Sequence, residues 1–345
     1  MNYKLTTITP IHIGNGNKLT KPFDFIVAGN SIGVLSFDKY LSLLTSSEIE
    51  NLEKLIESGD YENIYNKIRK PLDGYLKYIV QLNAKNNTSP KEIAEHIKTV
   101  FNEKGEYGVY IPGSTIKGFI RLAILYKILK ENLNSVKCEK ESDIIKVEEN
   151  KFSILLNQDD KKKLSLMAYF KVSDSKPISV SSKPISVSNN LEVRRVISLN
   201  GKISEYVEVI KEKTSTDIKI SISIDDVIEK LRKPDDKHIE AIKNWKQACY
   251  EFSKDIIDFE IGFFKARNKN LKEFYENLKK QNSPDSPILR IGKYKGKISQ
   301  TLILLKDKNK IRCLNSSEFP KTRRITDNDS LPLGWIQLEK VSDKA

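Results

Sequence analysis

Tyr107-Gly108-Val109-Tyr110-Ile111 runs directly into Pro112-Gly113-Ser114-Thr115-Ile116-Lys117-Gly118-Phe119-Ile120-Arg121. The first five residues are β-prone and stop at a proline, and the residues that follow carry apolar side chains at helical spacing. A strand over 107–111 and an amphipathic helix from about 115 to 132 are predicted. Ser114 stands where an N-cap belongs, because its hydroxyl can accept from a free N–H of the first turn. That turn also offers unpaired N–H groups at the positive end of the helix dipole, which suits an anion. Lys117 falls in the same turn, and Arg121 lies four residues on along the same face. Gly113 and Gly118 leave room for close approach. Gly113, Ser114, Thr115, Lys117, Gly118 and Arg121 are therefore candidates for binding an anion. An ordinary capped helix with a solvated lysine is the plainer alternative.

Upstream, residues 2–9 alternate and read as a strand. A polar loop, Pro10 to Lys18, follows. Residues 23–37 read as a hairpin around Gly29-Asn30. Residues 38–104 are rich in Leu, Ile, Glu, Lys and Tyr and read as short helices broken near Gly59 and Pro71. Downstream, 164–173, 191–198, 205–211 and 216–224 read as strands, 225–281 as helical, 287–291 as a strand, the stretch to about 305 as helix-like, and 333–338 as a last strand. This order predicts an α+β chain with antiparallel or mixed sheets. No GxGxxG opens a βαβ unit, so a dinucleotide fold has no support. A length of 345 residues suits two domains, placed at 1–160, with a helical insertion over about 38–104, and 161–345, with a helical segment over about 225–281.

The formal net charge is +13, and ten of the 59 basic residues are Arg. Such an excess favours a polyanionic partner, and lysine suits phosphates as a point charge better than it reads base edges. A generally lysine-rich surface is the competing reading. Cys138, Cys249 and Cys313 are distant and odd in number, which supports neither a zinc site nor a disulfide framework. Residues 1–10 carry no signal-peptide pattern, and no apolar run approaches the roughly 20 residues a membrane span needs. A cytoplasmic protein is expected.

Further candidates lie in loops. Thr9-Pro10-Ile11-His12-Ile13-Gly14-Asn15-Gly16 is a glycine loop with one histidine, continuing to Lys18. Gly14, Asn15 and Gly16 can aim backbone N–H groups at an anion. His12 could move a proton, though a lone histidine at a strand end more often bonds locally. Arg290 to Gln300 brings Lys293, Lys295 and Lys297 together with Gly292 and Gly296. A tandem duplication, Lys176-Pro177-Ile178-Ser179-Val180-Ser181-Ser182 then Lys183-Pro184-Ile185-Ser186-Val187-Ser188-Asn189, predicts an extended surface loop displaying Lys176 and Lys183. Arg194-Arg195 and Lys321 with Arg323-Arg324 are further basic groups. The adjacent acidic pairs point apart and make poor metal clamps, so no metal or cofactor is expected. His96 and His238 fall among charges and read as exposed. Trp245, Ala248, Phe252, Ile256, Phe259 and Phe263 recur at helical spacing, as a core or interface stripe.

A strand running into TPIHIGxG, combined with IPGSTxKGxxR and with Leu331-Pro332-Leu333-Gly334-Trp335-Ile336-Gln337-Leu338 near the end, resembles the RAMP superfamily of CRISPR proteins. Within it the pairing is similar to the subunit-five family of type III-A (Csm) effector complexes. The resemblance implies two ferredoxin-like (RRM-related) domains. It also implies a place at the 3′ side of a single-stranded guide RNA (crRNA), capping a filament of RAMP backbone subunits and touching other Csm subunits. The segment 290–300 looks like the glycine-rich loop of the family, with lysines where glycines are more usual. The basic loops resemble the thumb hairpins of that family. In the family, target cleavage belongs to a neighbouring subunit, which implies that this chain is not an enzyme. The alternative is a metal-independent endoribonuclease in which His12 moves a proton while a 2′-hydroxyl attacks the adjacent phosphate.

Overall fold

A computed structural model describes residues 1–85, 89–100, 106–131, 153–155, 163–180, 186–200, 203–225, 236–308 and 319–341. Its strands are β1 (Asn2–Thr7), β2 (Gly14–Thr20), β3 (Phe25–Ala28), β4 (Ser31–Leu35), β5 (Leu76–Asn83), β6 (Glu92–His96), β7 (Lys98–Val100), β8 (Tyr107–Val109), β9 (Ser153–Leu155), β10 (Lys163–Ser165), β11 (Phe170–Val172), β12 (Ile178–Ser179), β13 (Val187–Ser198), β14 (Ser204–Ile210), β15 (Ser215–Ile222), β16 (Ile288–Arg290), β17 (Arg324–Thr326) and β18 (Trp335–Lys340). Its α-helices are α1 (Phe37–Ser42), α2 (Ser46–Glu57), α3 (Ile64–Lys67), α4 (Gly113–Glu131), α5 (Asp236–Lys243), α6 (Trp245–Phe264) and α7 (Lys269–Gln281). The chain is mixed α+β.

Among the described residues two large sheets form the frame. One has the order β11-β15-β1-β18-β16, all antiparallel. The other runs β2-β6-β14-β13-β5-β4-β3, with β17 added beside β13. β1 lies inside the first sheet, with Leu5 opposite Thr216 on one side and Leu338 on the other. Both sheets draw strands from either side of residue 160, so the boundary between 1–160 and 161–345 is not a boundary between sheets.

α4 and α6 cover the first sheet. Phe252 meets Phe119 at 5.4 Å and Tyr126 at 4.7 Å, and Trp245 meets Tyr3 edge-on at 5.6 Å. The stripe expected along 245–263 is core: Trp245, Ala248, Phe252 and Ile256 are buried, with Phe259 and Phe263 packed at its margin. Burying large side chains of this kind contributes about 1.5–3 kcal/mol each. α1 to α3 form a smaller core around Leu35, Tyr40, Leu52, Ile64 and Tyr75.

Several expectations are corrected. Residues 38–104 are helical only through α3, and β5, β6 and β7 follow. Leu76 to Asn83 alternates in burial along its length, a period of two that the helical reading of a Lys- and Tyr-rich stretch overlooked. The loop expected over 10–18 includes the start of β2, which pairs with β6. The stretch 164–173 is a strand end, a 3-10 turn at Leu166–Tyr169 and β11. Helix-like 291–305 is two short 3-10 turns, Lys297–Ser299 and Ile303–Lys308. The first copy of the duplication is not all surface: Ile178–Ser179 pairs with β8 and Val180 is buried. His96 and His238 are buried rather than exposed. No helix among the described residues is long and apolar enough to cross a membrane.

Candidate nucleic-acid interface

Three segments distant in sequence converge beyond the end of β1. The first is the His12 loop. Ile8 and Thr9 donate their N–H groups to the Trp335 carbonyl at 2.8 and 3.2 Å, and the Thr9 hydroxyl accepts from Trp335 N at 3.0 Å. Ile11 exchanges backbone bonds with Ile210 at 3.0 and 2.9 Å. His12 is thereby held with Nδ1 2.7 Å from the Glu208 carbonyl. A carbonyl only accepts, so Nδ1 carries the hydrogen and Nε2 is the bare acceptor. Burial lowers the His12 pKa to about 4, outweighing the Glu208 bond, so the ring is neutral.

A buried polar network lies behind it. The Glu208 carboxylate accepts from the Tyr78 hydroxyl at 2.8 Å and from His96 N at 2.9 Å, and forms an ion pair with Lys98. Lys98 also sits 5.1 Å over the Tyr78 ring. His96 meets His12 edge-on at 6.0 Å, and burial lowers its pKa to about 3.

The second segment is 291–297. Gly292 has φ +81, and a Cβ there would stand 2.6 Å from the His12 carbonyl oxygen. Only glycine fits, for both conformation and space. Lys293 N donates to that same carbonyl at 2.9 Å, which welds this loop to the first. Tyr294 adopts φ 69, a conformation that bulky residues avoid. Its hydroxyl donates to Glu205 at 2.6 Å, and the Lys293 ammonium lies 3.3 Å from the same carboxylate.

The third segment is the start of α4. The helix begins at Gly113, so Ser114 lies inside the first turn and does not cap it. The Gly113 N–H instead donates to the Asp174 carboxylate at 2.7 Å. A Cβ on Gly113 would stand 2.3 Å from the Val172 carbonyl oxygen, so the glycine lets the helix start against the β11 segment.

Between the three segments lies a groove of about 620 Å³. His12, Gly14, Gly16 and Lys18 line one side; Ser114, Thr115 and Gly118 another; Gly292, Lys293 and Lys295 a third. Lys18 pairs with Glu92 at 2.6 Å, with both side chains more than half exposed. Such exposed pairs are worth about 0–1 kcal/mol, so a phosphate can replace the partner at little cost. Burial, then Arg290, holds the Lys295 ammonium below its usual pKa, and Lys295 pairs with no carboxylate among the described residues. Glu95 and Glu205 are the acidic members of the lining. Burial pushes Glu95 up, but Lys98 and the Asn15 amide outweigh it and keep it ionised. Burial likewise raises Glu205, and Tyr294 with Lys293 outweighs it. Asn15 reaches the site indirectly, donating to Glu95 at 2.7 Å.

The other expected residues fall elsewhere. Lys117 and Arg121 are not part of the groove lining; they share the adjacent face of α4, where burial and then Arg121 lower the Lys117 pKa. Lys176 is exposed and pairs with Asp217 at 2.8 Å, and Lys183 lies outside the described residues. Arg194 is a correction. It is buried and its guanidinium is taken up by Glu192, Asp329 and Glu212, so it is a structural hub and not a displayed cation. Arg195 pairs with Asp327 at 3.7 Å and bonds Ser204 at 3.4 Å. Lys297 faces a neighbouring hollow. Ile13, Asn17, Ala94, Glu95 and Glu205 line the groove without having been singled out, as does Gly292, named above only as part of the lysine loop. Gly292 carried a usable signal, a glycine opening a lysine-rich loop. Glu95 and Glu205 carried none, because cross-strand neighbours are far apart in sequence. Among the described residues no group of three or more His, Cys, Asp or Glu could hold a metal ion.

The sequence profile of the RAMP superfamily matches residues 4–294, which takes in the His12 loop, α4 and the start of the lysine loop. The chain belongs to the RAMP superfamily. This RAMP chain is 26% identical, over an alignment 395 positions long, to the CRISPR system protein Csm5 of Methanocaldococcus jannaschii, covering 99% of this chain and 89% of that one. Its fold is shared with a chain of a cryo-electron-microscopy structure of a Csm–crRNA–target RNA ternary complex of a type III-A CRISPR–Cas system, at TM-score 0.71, 23% identity, and coverage of 98% and 100%. The crystal structure of Csm5 from T. onnurineus shares it too, at TM-score 0.67, 20% identity, and coverage of 96% and 99%.

Proposed function

We propose that this RAMP protein is a guide-RNA-binding subunit of a type III-A Csm effector complex, acting in CRISPR defence. In this reading it caps the filament of RAMP backbone subunits on the 3′ side of the crRNA, touches other Csm subunits, and cuts no RNA itself. The observation that carries the reading is the convergence of the His12 loop, the first turn of α4 and the lysine loop on one groove. That groove offers Lys18, Lys293 and Lys295 to a phosphate backbone, the sequence-independent part of nucleic-acid affinity. The similarity to Csm5 over nearly the whole chain supports the assembly. The sheet order supports the ferredoxin-like expectation for one unit: β1, α4, β11, β15, α6 and β18 give a strand order β11-β15-β1-β18 with two helices packed together, and β16 added outside. The eight-stranded sheet is the candidate for the second unit.

A non-catalytic role fits the chemistry around His12. One ring nitrogen is committed to the Glu208 carbonyl. The facing carboxyls, Glu95 and Glu205, are held as anions and offer no proton to a leaving group. The test is one incubation of the purified chain with labelled single-stranded guide-like RNA in chelator, divided between a native and a denaturing gel. A shifted band with intact RNA is expected. A shortened product that disappears with a folded His12→Ala variant would replace this reading with the endoribonuclease, and no shift at any salt would leave only a structural adaptor.

A further inference from the structure

Beside the groove lies a second hollow of about 320 Å³, with Arg290, Lys295, Lys297, Arg323 and Arg324 in its wall and Glu260 as the sole carboxylate of its lining among the described residues. That carboxylate is already engaged: Arg323 Nε reaches both of its oxygens at 2.8 Å, and Arg290 lies 3.7 Å away. Lys295, Lys297 and Arg324 form no ion pair with a carboxylate among the described residues. Arg323 Nη1 bonds the Pro320 and Thr322 carbonyls at 2.9 and 3.1 Å, while its Nη2 is buried with no hydrogen-bond partner among the described residues. Arg324 donates to the Ile203 carbonyl at 3.4 Å and makes no other hydrogen bond among the described residues. An unpaired buried donor is costly, and an anion would relieve it.

The hollow is continuous with the groove through Lys295, which lines both. A third hollow, holding Lys91 and Tyr206, shares Lys18, Ala94 and Glu205 with the groove. The three hollows differ in charge. The third hollow balances Lys18 and Lys91 against Glu92 and Glu205. The groove sets three lysines against Glu95 and Glu205, and the arginine hollow sets five cations against Glu260. A phosphodiester carries one negative charge, whereas a terminal phosphate monoester carries about 1.5 to 2 and presents three oxygens to guanidinium donors.

We propose that the arginine-lined hollow seats the terminal phosphate monoester of an RNA strand whose last nucleotides lie in the groove. This rests on the RNA-binding reading above and adds an end to it. Recognition is by charge-assisted, bidentate bonds from guanidinium groups, so it distinguishes a phosphorylated terminus from a hydroxyl one without reading the base.

The experiment measures the affinity of the full chain, by fluorescence anisotropy at fixed salt, for one single-stranded RNA in three forms: 3′-phosphorylated, 5′-phosphorylated, and hydroxyl at both ends. One of the phosphorylated forms is expected to bind about five- to tenfold tighter than the hydroxyl form. Truncating Arg323 would strand the buried Glu260, so Arg324→Ala is the informative variant, with its melting temperature checked. It is expected to abolish the preference while holding the hydroxyl-ended strand within about twofold. Equal affinity for all three strands, or a preference that survives Arg324→Ala, overturns the end pocket alone. No binding of any strand overturns the RNA reading with it.

Discussion

At the residue scale, His12 is fixed by what surrounds it, and its surroundings make testable demands. Glu208→Ala would leave Lys98 with Glu95 as its remaining carboxylate and the Tyr78 hydroxyl unpaired. A loss of about 3 kcal/mol of stability is expected, read from urea unfolding. Burial keeps the pKa of His12 at about 4 and of His96 at about 3, below the 6.5 of an ordinary histidine. As pH falls below 6.5 the unfolded chain takes up protons that the folded chain refuses. Stability is therefore full above that pH and declines toward pH 4, by about 1.4 kcal/mol per pH unit for each histidine. Unfolding curves at pH 7 and 5.5 measure the decline, and a folded His96→Gln variant should show about half of it. On the ligand side, Lys293→Ala and Lys295→Ala should each reduce the slope of log affinity against log salt for single-stranded RNA by about 0.7. The lysines of this loop were legible in the sequence as a basic cluster, and Lys293 and Lys295 line the groove. Arg194 was not legible as a buried hub, because its partners Asp329 and Glu212 arrive from other segments.

At the element scale, α4 was the easiest part of the chain to read and its start the hardest. Proline, glycine, serine and a following apolar period announced a helix within two residues of where it lies. The capping group could not be read, because Asp174 comes from another strand-end segment and takes the Gly113 N–H. Asp174→Ala is expected to cost about 1 kcal/mol in thermal or denaturant unfolding, whereas Ser114→Ala should change stability by less than about 0.5 kcal/mol. β5 shows the opposite failure. Its alternation was present in Leu76 to Asn83, but helix-forming residues on both sides masked a period of two running over only eight residues. The polar network around Glu208 uses this strand, through Tyr78, to support the groove from behind.

At the scale of the whole molecule, β1 ties the chain together. It pairs with β15 on one side and β18 on the other, so the first and last strands lie side by side inside one sheet. A fragment ending at residue 160 would lack both partners of β1, and one beginning at 161 would lack the strand between them. Neither fragment is expected to give the near-ultraviolet dichroism of a packed core, and the intact chain should unfold in one cooperative transition. The sequence by itself determined the α+β class, the positive charge, the helix after Pro112 and the three short motifs, because those follow from local composition and period. Tertiary contacts alone brought the His12 loop, the start of α4 and the lysine loop to one groove, left Lys117 and Arg121 outside its lining, and spent Arg194 on carboxylates. The reason is physical: strand pairing and burial join residues hundreds of positions apart, and nothing in local propensity records which distant partner a strand edge or a buried charge will find.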